Sequence, residues 1–97
     1  MTAYKLKFLP VALKEWKKLD SPIRQQFKKR LEQRLKQPKV ESAKLSGFQY
    51  IYKIKLRSAG YRLAYQVQNN ELIVIVLAVG KREKNEIYSK MKNRIVK

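Results

Sequence analysis

The sequence predicts an α+β fold, in which a first strand and a helical hairpin precede an antiparallel β-meander and a short C-terminal helix. Apolar residues recur at helical spacing before residue 38, alternate with polar residues between 50 and 67, and run continuously at 72–79. This change of period separates a helical half from a strand half. A chain of 97 residues has the size of one domain, so we expect a single domain over residues 1–97.

The N-terminal segment is predicted to be a half-buried strand. Tyr4, Leu6 and Phe8 alternate with two lysines, and this period of two puts the apolar side chains on one face. We expect this strand to lie in the same sheet as the strands that follow the helical hairpin. The hairpin itself should pack on one face of that sheet.

Two helices are predicted between the first strand and Pro38. Pro10 suits the first turn of a helix, and Leu13 and Trp16 follow at helical spacing. The break at Asp20-Ser-Pro predicts a new start, with Ser21 as N-cap and Pro22 as the first helical residue. Apolar residues then recur at intervals of four, at Ile23, Phe27, Leu31 and Leu35. The second helix should end before Pro38, which makes the pair an antiparallel hairpin.

The second half of the chain is predicted to hold three strands joined by short turns. Apolar and polar residues alternate over 52–57 and again over 61–67, whereas the run 72–79 is typical of a strand covered on both faces. Gly80 is expected to end that strand. The segment 84–97 is predicted to be a short helix with one apolar stripe, formed by Ile87, Met91 and Ile95.

The charge of the chain points to a polyanionic partner. Lys and Arg number 24 and Asp and Glu number 7, which gives a formal net charge of +17. Self-repulsion at that charge works against the compact state. Nucleic acid is the first expectation for the partner, an anionic membrane surface the second and an acidic protein the third.

The residue types that are missing restrict the chemistry. The chain has no Cys, which excludes disulfides and thiolate nucleophiles, and no His, the usual acid–base group near neutral pH. Its carboxylates are scattered along the sequence, so we expect neither a Mg²⁺ cluster nor any other metal or cofactor. The apolar run 72–79 is too short to cross a bilayer, and the N-terminus does not look like a signal peptide, so a soluble cytoplasmic protein is expected.

Basic residues are predicted to gather on one face of the meander. Lys53 and Lys55 lie two apart on one strand and share a face, and Arg62 on the next strand can lie near Lys55 or Arg57. This pattern is also typical of the wetted side of an ordinary sheet. The high charge favours a face that binds phosphate, because like charges on adjacent strands repel one another without an anion. The residues expected to bind substrate phosphates are Lys53, Lys55, Arg57, Lys81 and Arg82.

Three segments combine basic and aromatic residues in a fixed order: Tyr52-Lys-Ile-Lys-Leu-Arg57, Gly60-Tyr-Arg-Leu-Ala-Tyr65 and Val79-Gly-Lys-Arg-Glu83, followed by Tyr88. Together they resemble the RelE family of toxins. Ala12-Leu-Lys-Glu-Trp16 and Lys44-Leu-Ser-Gly47 fit the same family, so the resemblance covers nearly the whole chain. The sequence departs from it at Ser46, where a basic residue is typical.

The resemblance implies a ribosome-dependent endoribonuclease that cuts mRNA in the A site of the small ribosomal subunit. It also implies a microbial-RNase-like fold, a RelB-like antitoxin that silences the toxin, and contact with operator DNA only through that antitoxin. The positions that match the family's functional residues are Lys53, Lys55, Arg62, Arg82 and Tyr88.

Such residues suit RNA cleavage, because the 2′-hydroxyl of the RNA is itself the nucleophile and no metal is needed. Lys53 or Lys55 is expected to remove the proton of that hydroxyl, while the other lysine holds phosphate. Arg62 should stabilise the phosphorane. Arg82 should bind phosphate near the leaving oxygen and is a candidate proton donor, and Tyr88 should stack on the substrate or orient it.

Two other functions remain open from the sequence. A non-catalytic basic module that binds RNA or DNA explains the charge equally well, although it does not explain the ordered basic and Tyr positions. A gyrase inhibitor with the RelE fold would share the architecture, but its target would be a protein.

Overall fold

The computed structural model describes residues 3–81 and 86–95, and for Glu86 and Tyr88 it describes the backbone alone. The helical elements are α1 (Pro10–Lys17), α2 (Ser21–Lys36), a single 3-10 turn (Glu41–Ala43) and α3 (Glu86–Lys92). The strands are β1 (Lys5–Phe8), β2 (Ile51–Leu56), β3 (Tyr61–Gln68) and β4 (Ile73–Lys81). No helix in these ranges is long and apolar enough to cross a membrane.

The four strands form one mixed sheet in the order β1-β4-β3-β2. The strands β2, β3 and β4 pair antiparallel, which confirms the predicted meander. Strand β1 returns beside β4 and pairs parallel to it, from Lys5 opposite Ile73 to Phe8 opposite Val76. The parallel pairing is possible because the helical hairpin and the meander lie between the two strands and bring the chain back in the same direction.

The helical hairpin packs on one face of this sheet, as predicted. Phe27 and Leu31 of α2 are fully buried against a cluster that includes Tyr65 and Val76. Trp16 of α1 lies between two phenylalanines, with ring centroids 5.2 Å from Phe8 and 6.3 Å from Phe27. These contacts explain why the apolar stripes of the sequence recur at intervals of three and four.

The start of α2 differs from the prediction by one residue. Asp20 is the N-cap and Ser21 is the first helical residue, with Pro22 in the first turn. The reason is the hydrogen bonding, since the Arg24 amide donates to the Asp20 carbonyl at 3.0 Å and so begins the helical ladder at Asp20.

The other face of the sheet is covered in part by α3. Ile87 and Met91 of this helix are buried against Ala64, Leu77 and Ala78, so β4 is covered on both faces as predicted. Strand β4 continues through Gly80 to Lys81, where the sequence predicted an end at the glycine. Over β2 this face carries Lys53 and Lys55, which remain partly exposed.

A β-bulge at Leu77 divides β4 into two halves. Val76 lies opposite Tyr65 and Ala78 lies opposite Ala64, so Leu77 is the extra residue. Leu77 and Ala78 therefore both join the cluster under α3, and Val79 returns to the cluster under the helical hairpin.

The edge of β4 beyond the end of β1 is closed by an ion pair. Glu15 of α1 accepts a hydrogen bond from the Val79 amide at 3.1 Å and lies 2.9 Å from the Arg94 guanidinium. Arg94 also donates to the Leu77 carbonyl at 3.1 Å, and the Lys90 ammonium is 3.1 Å from Glu15. The pair thus satisfies the backbone of β4 and ties α3 to α1.

Candidate active site

The site is built around a row of directly opposite residues on β2, β3 and β4. Lys55 lies opposite Arg62, and Arg62 lies opposite Gly80. Directly opposite residues share a face of the sheet, so the register brings Arg62 beside Lys55, one of the two neighbours that the sequence left open. Lys53 lies two residues from Lys55 on the same face and opposite Ala64.

The β4 residue beside these cations has no side chain. Gly80 lies opposite Arg62, whereas Ala64 and Ala78, which lie opposite each other, are buried under α3. A Cβ atom at Gly80 would lie 3.9 Å from the ammonium of Lys90 on α3. Gly80 therefore lies between Arg62 on β3 and Lys90 on α3.

The cations of this site repel one another. The charge of the Lys53 ammonium lowers the pKa of Lys55 most strongly. Desolvation, the charge of Arg62, a hydrogen bond with Lys53 and the charge of Arg57 lower this pKa further. A lysine in such surroundings loses its proton at a lower pH than an ordinary lysine, which suits it to act as a base. The same repulsion is relieved by an anion, so the arrangement favours binding of phosphate.

A basic cleft of about 590 Å³ opens beside the row, between α2 and β2. We call it the arginine cleft. Its residues are Gln26, Arg30 and Arg34 of α2, Ser42 and Ala43 of the 3-10 turn, Lys53, Lys55 and Leu56 of β2, and Arg57 and Ser58 of the following turn. Lys53 and Lys55 belong to both the candidate active site and the cleft.

Arg30 and Arg34 were not predicted as site residues. They lie four apart on α2 and so share the helix face that borders β2. That spacing was visible in the sequence, but the fold was needed to show that this face stands next to Lys53. Arg34 donates a hydrogen bond to the Lys53 carbonyl at 3.4 Å and another to the Tyr65 hydroxyl at 2.9 Å.

Two tyrosines of the sheet serve packing. Tyr65 and Tyr52 are buried and stack with ring centroids 5.7 Å apart. The Tyr65 hydroxyl donates to the Pro38 carbonyl at 2.7 Å. Burial raises the pKa of Tyr65 although Arg34 acts in the opposite direction.

The other predicted site residues are distributed as follows. Arg57 is exposed and lines the arginine cleft. Lys81 lies opposite Tyr61, whose row belongs to the helical-hairpin face, so the register does not group Lys81 with Arg62. Arg82 lies outside the described residues. Tyr88 follows the buried Ile87 on α3, and its side chain lies outside the described part of the structure.

Ser46 lies in the turn that leads to β2. Its side chain is exposed, and it borders a shallow depression together with Lys44 and Gly47. Glu41 also lines this depression, so with a serine at position 46 the place carries one cation and one carboxylate.

Comparison with known proteins assigns the family. Residues 6–86 match the family model described as the ParE toxin of type II toxin–antitoxin systems, parDE. The mRNA interferase toxin RelE of Escherichia coli (strain K12) is 52% identical over 94 residues, which cover 97% of this chain and 99% of that protein.

Solved structures agree with this assignment. A doubly substituted mutant of E. coli RelE in the free state superposes with a TM-score of 0.91 at 50% identity, over 98% of this chain and 100% of the other. The toxin of the intact E. coli RelBE toxin–antitoxin complex is 52% identical, with a TM-score of 0.81 over 84% of this chain and 100% of that one. The chain therefore belongs to the ParE toxin family of type II toxin–antitoxin systems and is similar over nearly its whole length to RelE toxins.

Proposed function

We propose that this protein is the toxin of a type II toxin–antitoxin system and acts as an mRNA interferase that cuts mRNA in the ribosomal A site. The observation that carries the proposal is the row of Lys55 and Arg62 beside Lys53, because it groups three cations on one face of the sheet. Similarity to the RelE mRNA interferase over 97% of the chain supports the same function.

Lys55 is the base that we favour. Its pKa is lowered by Lys53 and by the other neighbouring cations, so its ammonium releases a proton more readily than that of an ordinary lysine. The neutral amine takes the proton of the RNA 2′-hydroxyl, and the resulting oxyanion attacks the adjacent phosphorus. Lys53 holds a phosphate oxygen, and Arg62 stabilises the charge that develops on the phosphorane.

The departing 5′-oxygen must receive a proton. We assign this step to Arg82, which binds phosphate near that oxygen, and we assign stacking or orientation of the substrate to Tyr88. Tyr88 lies on α3, which packs against Ala64 and Ala78 next to the row. Arg57, which lines the neighbouring cleft, is proposed to add a phosphate contact at the margin of the site, whereas Lys81 faces the other side of the sheet.

The proposed partners are the ribosome with its mRNA and a RelB-like antitoxin. A solved complex of a 52% identical RelE with its antitoxin supports the second partner. The charge of +17 suits an antitoxin that wraps the basic face with acidic side chains, and contact with operator DNA would pass through that antitoxin. We further propose that residues 1–97 work as one domain in the cytoplasm, where ribosomes are found.

Single-turnover cleavage of mRNA on programmed ribosomes tests the function. Arg62→Ala should lower the rate at saturating toxin by about 10²–10³-fold, because a donor aimed at developing charge is lost. Lys28→Ala removes one charge from an exposed position of α2 and should change little at saturation. If both variants lose activity equally and saturation restores both, the row only attracts RNA and the catalytic assignment is wrong.

A further inference from the structure

The arginine cleft lies beside the candidate active site and shares two residues with it, Lys53 and Lys55. On the basis of the proposed function, we propose that this cleft binds the phosphodiester backbone of the same RNA strand at a nucleotide that is not cut, with Arg30 and Arg57 as the phosphate ligands.

The net positive charge of the cleft favours binding of an anion. Five of its ten lining residues are Lys or Arg, and none is Asp or Glu. In the described part of the chain, the ion pairs found are those of Glu15 with Lys90 and Arg94, at the opposite edge of the sheet. Cations held together without a carboxylate repel one another, and a polyanion in the cleft reverses that repulsion.

The cations of the cleft differ in how much of their hydrogen bonding is already used. Arg34 is partly buried, and it donates to Tyr65 and to the Lys53 carbonyl. Arg30 and Arg57 are both exposed, and they line the cleft from α2 and from the turn after β2. Two exposed guanidinium groups that line one cleft suit bidentate contacts to phosphate oxygens.

The chemistry of the lining favours RNA over a peptide. Two serine hydroxyls and the Gln26 amide complete the polar lining, and these groups commonly contact phosphate and sugar. The apolar lining consists of Leu56 and Ala43, which offers no pocket for the aromatic or aliphatic anchor that a protein partner needs.

The edge of β2 is also occupied where an added peptide strand would bind. The Leu45 amide donates to the Ile51 carbonyl at 2.9 Å, and Arg34 donates to the Lys53 carbonyl. A partner that extends the sheet would have to displace both contacts. A nucleic-acid strand needs neither of these carbonyls, since it contacts the side chains.

The shared lysines set the path of the strand. The proposed function places Lys53 and Lys55 at the scissile phosphate, and both also line the cleft, so a strand held by them continues into the cleft without leaving the basic surface. The cleft then fixes the register of the strand on the enzyme, whereas the row carries out the reaction.

The test compares Arg30→Gln and Arg57→Gln with Lys29→Gln. Lys29 is an exposed neighbour of Arg30 on α2 that does not line the cleft, so all three variants lose one charge and differ in position. Binding of a short single-stranded RNA to the full chain is measured by fluorescence anisotropy over a series of salt concentrations. Melting temperatures of all variants confirm that the fold is retained.

We expect each cleft variant to bind the RNA about 5- to 10-fold more weakly than the wild type. Its plot of log K against log salt should be shallower by about 0.7, the value for one phosphate contact on a single strand. Lys29→Gln should stay within about twofold of the wild type, and Arg30→Lys should preserve the slope because the charge is kept. On programmed ribosomes, Arg30→Gln should raise the half-saturating toxin concentration more than it lowers the maximal cleavage rate.

Two results would overturn the inference. Equal slopes and affinities for Arg30→Gln, Arg57→Gln and Lys29→Gln would mean that the cleft contributes general charge alone. Unchanged RNA binding with weakened binding of the antitoxin would make the cleft a protein site. The proposed function is judged separately, because Arg62→Ala still tests cleavage when the cleft variants behave like the control.

Discussion

Replacement of Glu15 should loosen the C-terminal helix from the sheet. The carboxylate accepts a hydrogen bond from the Val79 amide, pairs with Arg94 through both oxygens, at 2.9 and 3.3 Å, and contacts Lys90 at 3.1 Å. The side chains of Glu15 and Arg94 are each only 16% exposed, whereas Lys90 is 38% exposed, so the pair with Lys90 contributes less.

The magnitude follows from what the substitution leaves behind. Glu15→Ala strands the Val79 amide at the strand edge and leaves the partly buried Arg94 without its carboxylate. A hydrogen bond to a charged group is worth about 1.5–3 kcal/mol, and loss of one partner of a buried pair costs about 3–5 kcal/mol. Because this pair is only partly buried, we expect Glu15→Ala to lower the free energy of unfolding by about 2–4 kcal/mol. Glu15→Gln keeps an acceptor for Val79, and we expect a loss of about 1–2 kcal/mol.

Urea unfolding followed by circular dichroism measures these losses, and Glu32→Ala is the control. Glu32 is exposed on α2, so its replacement should cost little. If Glu15→Ala destabilises the protein no more than Glu32→Ala does, the ion pair does not hold α3 in place.

Acid provides a second assay of the same contact. Partial burial raises the pKa of Glu15, but the hydrogen bonds from Arg94, Val79 and Lys90 outweigh this effect and hold the pKa below 4.5. A lowered carboxyl pKa stabilises the fold fully above pH 4.5, and this contribution is lost as pH falls through the folded-state pKa. The difference in stability between the wild type and Glu15→Gln should therefore shrink below pH 4.5, and a constant difference would contradict the linkage.

Two further predictions concern a turn and the candidate base. Gly60 has a φ of 70°, and a Cβ atom added there would meet no other atom within 4 Å. Gly60→Ala should therefore lower the free energy of unfolding by about 1–2 kcal/mol through backbone strain alone. Gly80→Ala is the control and should cause no measurable loss in urea unfolding. Because Lys53 is the main cause of the lowered pKa of Lys55, Lys53→Gln should move the NMR titration midpoint of Lys55 toward 10.5, and an unmoved midpoint would show that the two ammonium groups do not interact.

The alternating segments of the chain were the most predictable from sequence. Tyr52, Ile54 and Leu56 pack under the helical hairpin while Lys53 and Lys55 face away, as a period of two requires. A short turn leaves few registers between the two strands, so the sequence placed Arg62 near Lys55 or Arg57, and the structure selects Lys55. The catalytic roles of these residues remain predictions.

Other features depend on distant parts of the chain and gave no local signal. A continuous apolar run has no alternation, so the bulge at Leu77 could not be located within it. Glu15 looked like an isolated carboxylate on a basic helix, because its partner Arg94 is 79 residues away. The role of Arg30 and Arg34 depends on which strand α2 covers, and helical spacing alone does not determine that choice.

The bulge at Leu77 determines which residues of β4 share a face with Arg62. If the same residues paired regularly from Ile75 onward, alternation would turn Val79 and Lys81 toward Arg62. The one-residue offset turns Ala78 and Gly80 toward it instead, and sends the lysine to the far side of the sheet. The first half of β4 thus serves the core, and the offset leaves Gly80, which has no side chain, as the β4 residue opposite Arg62.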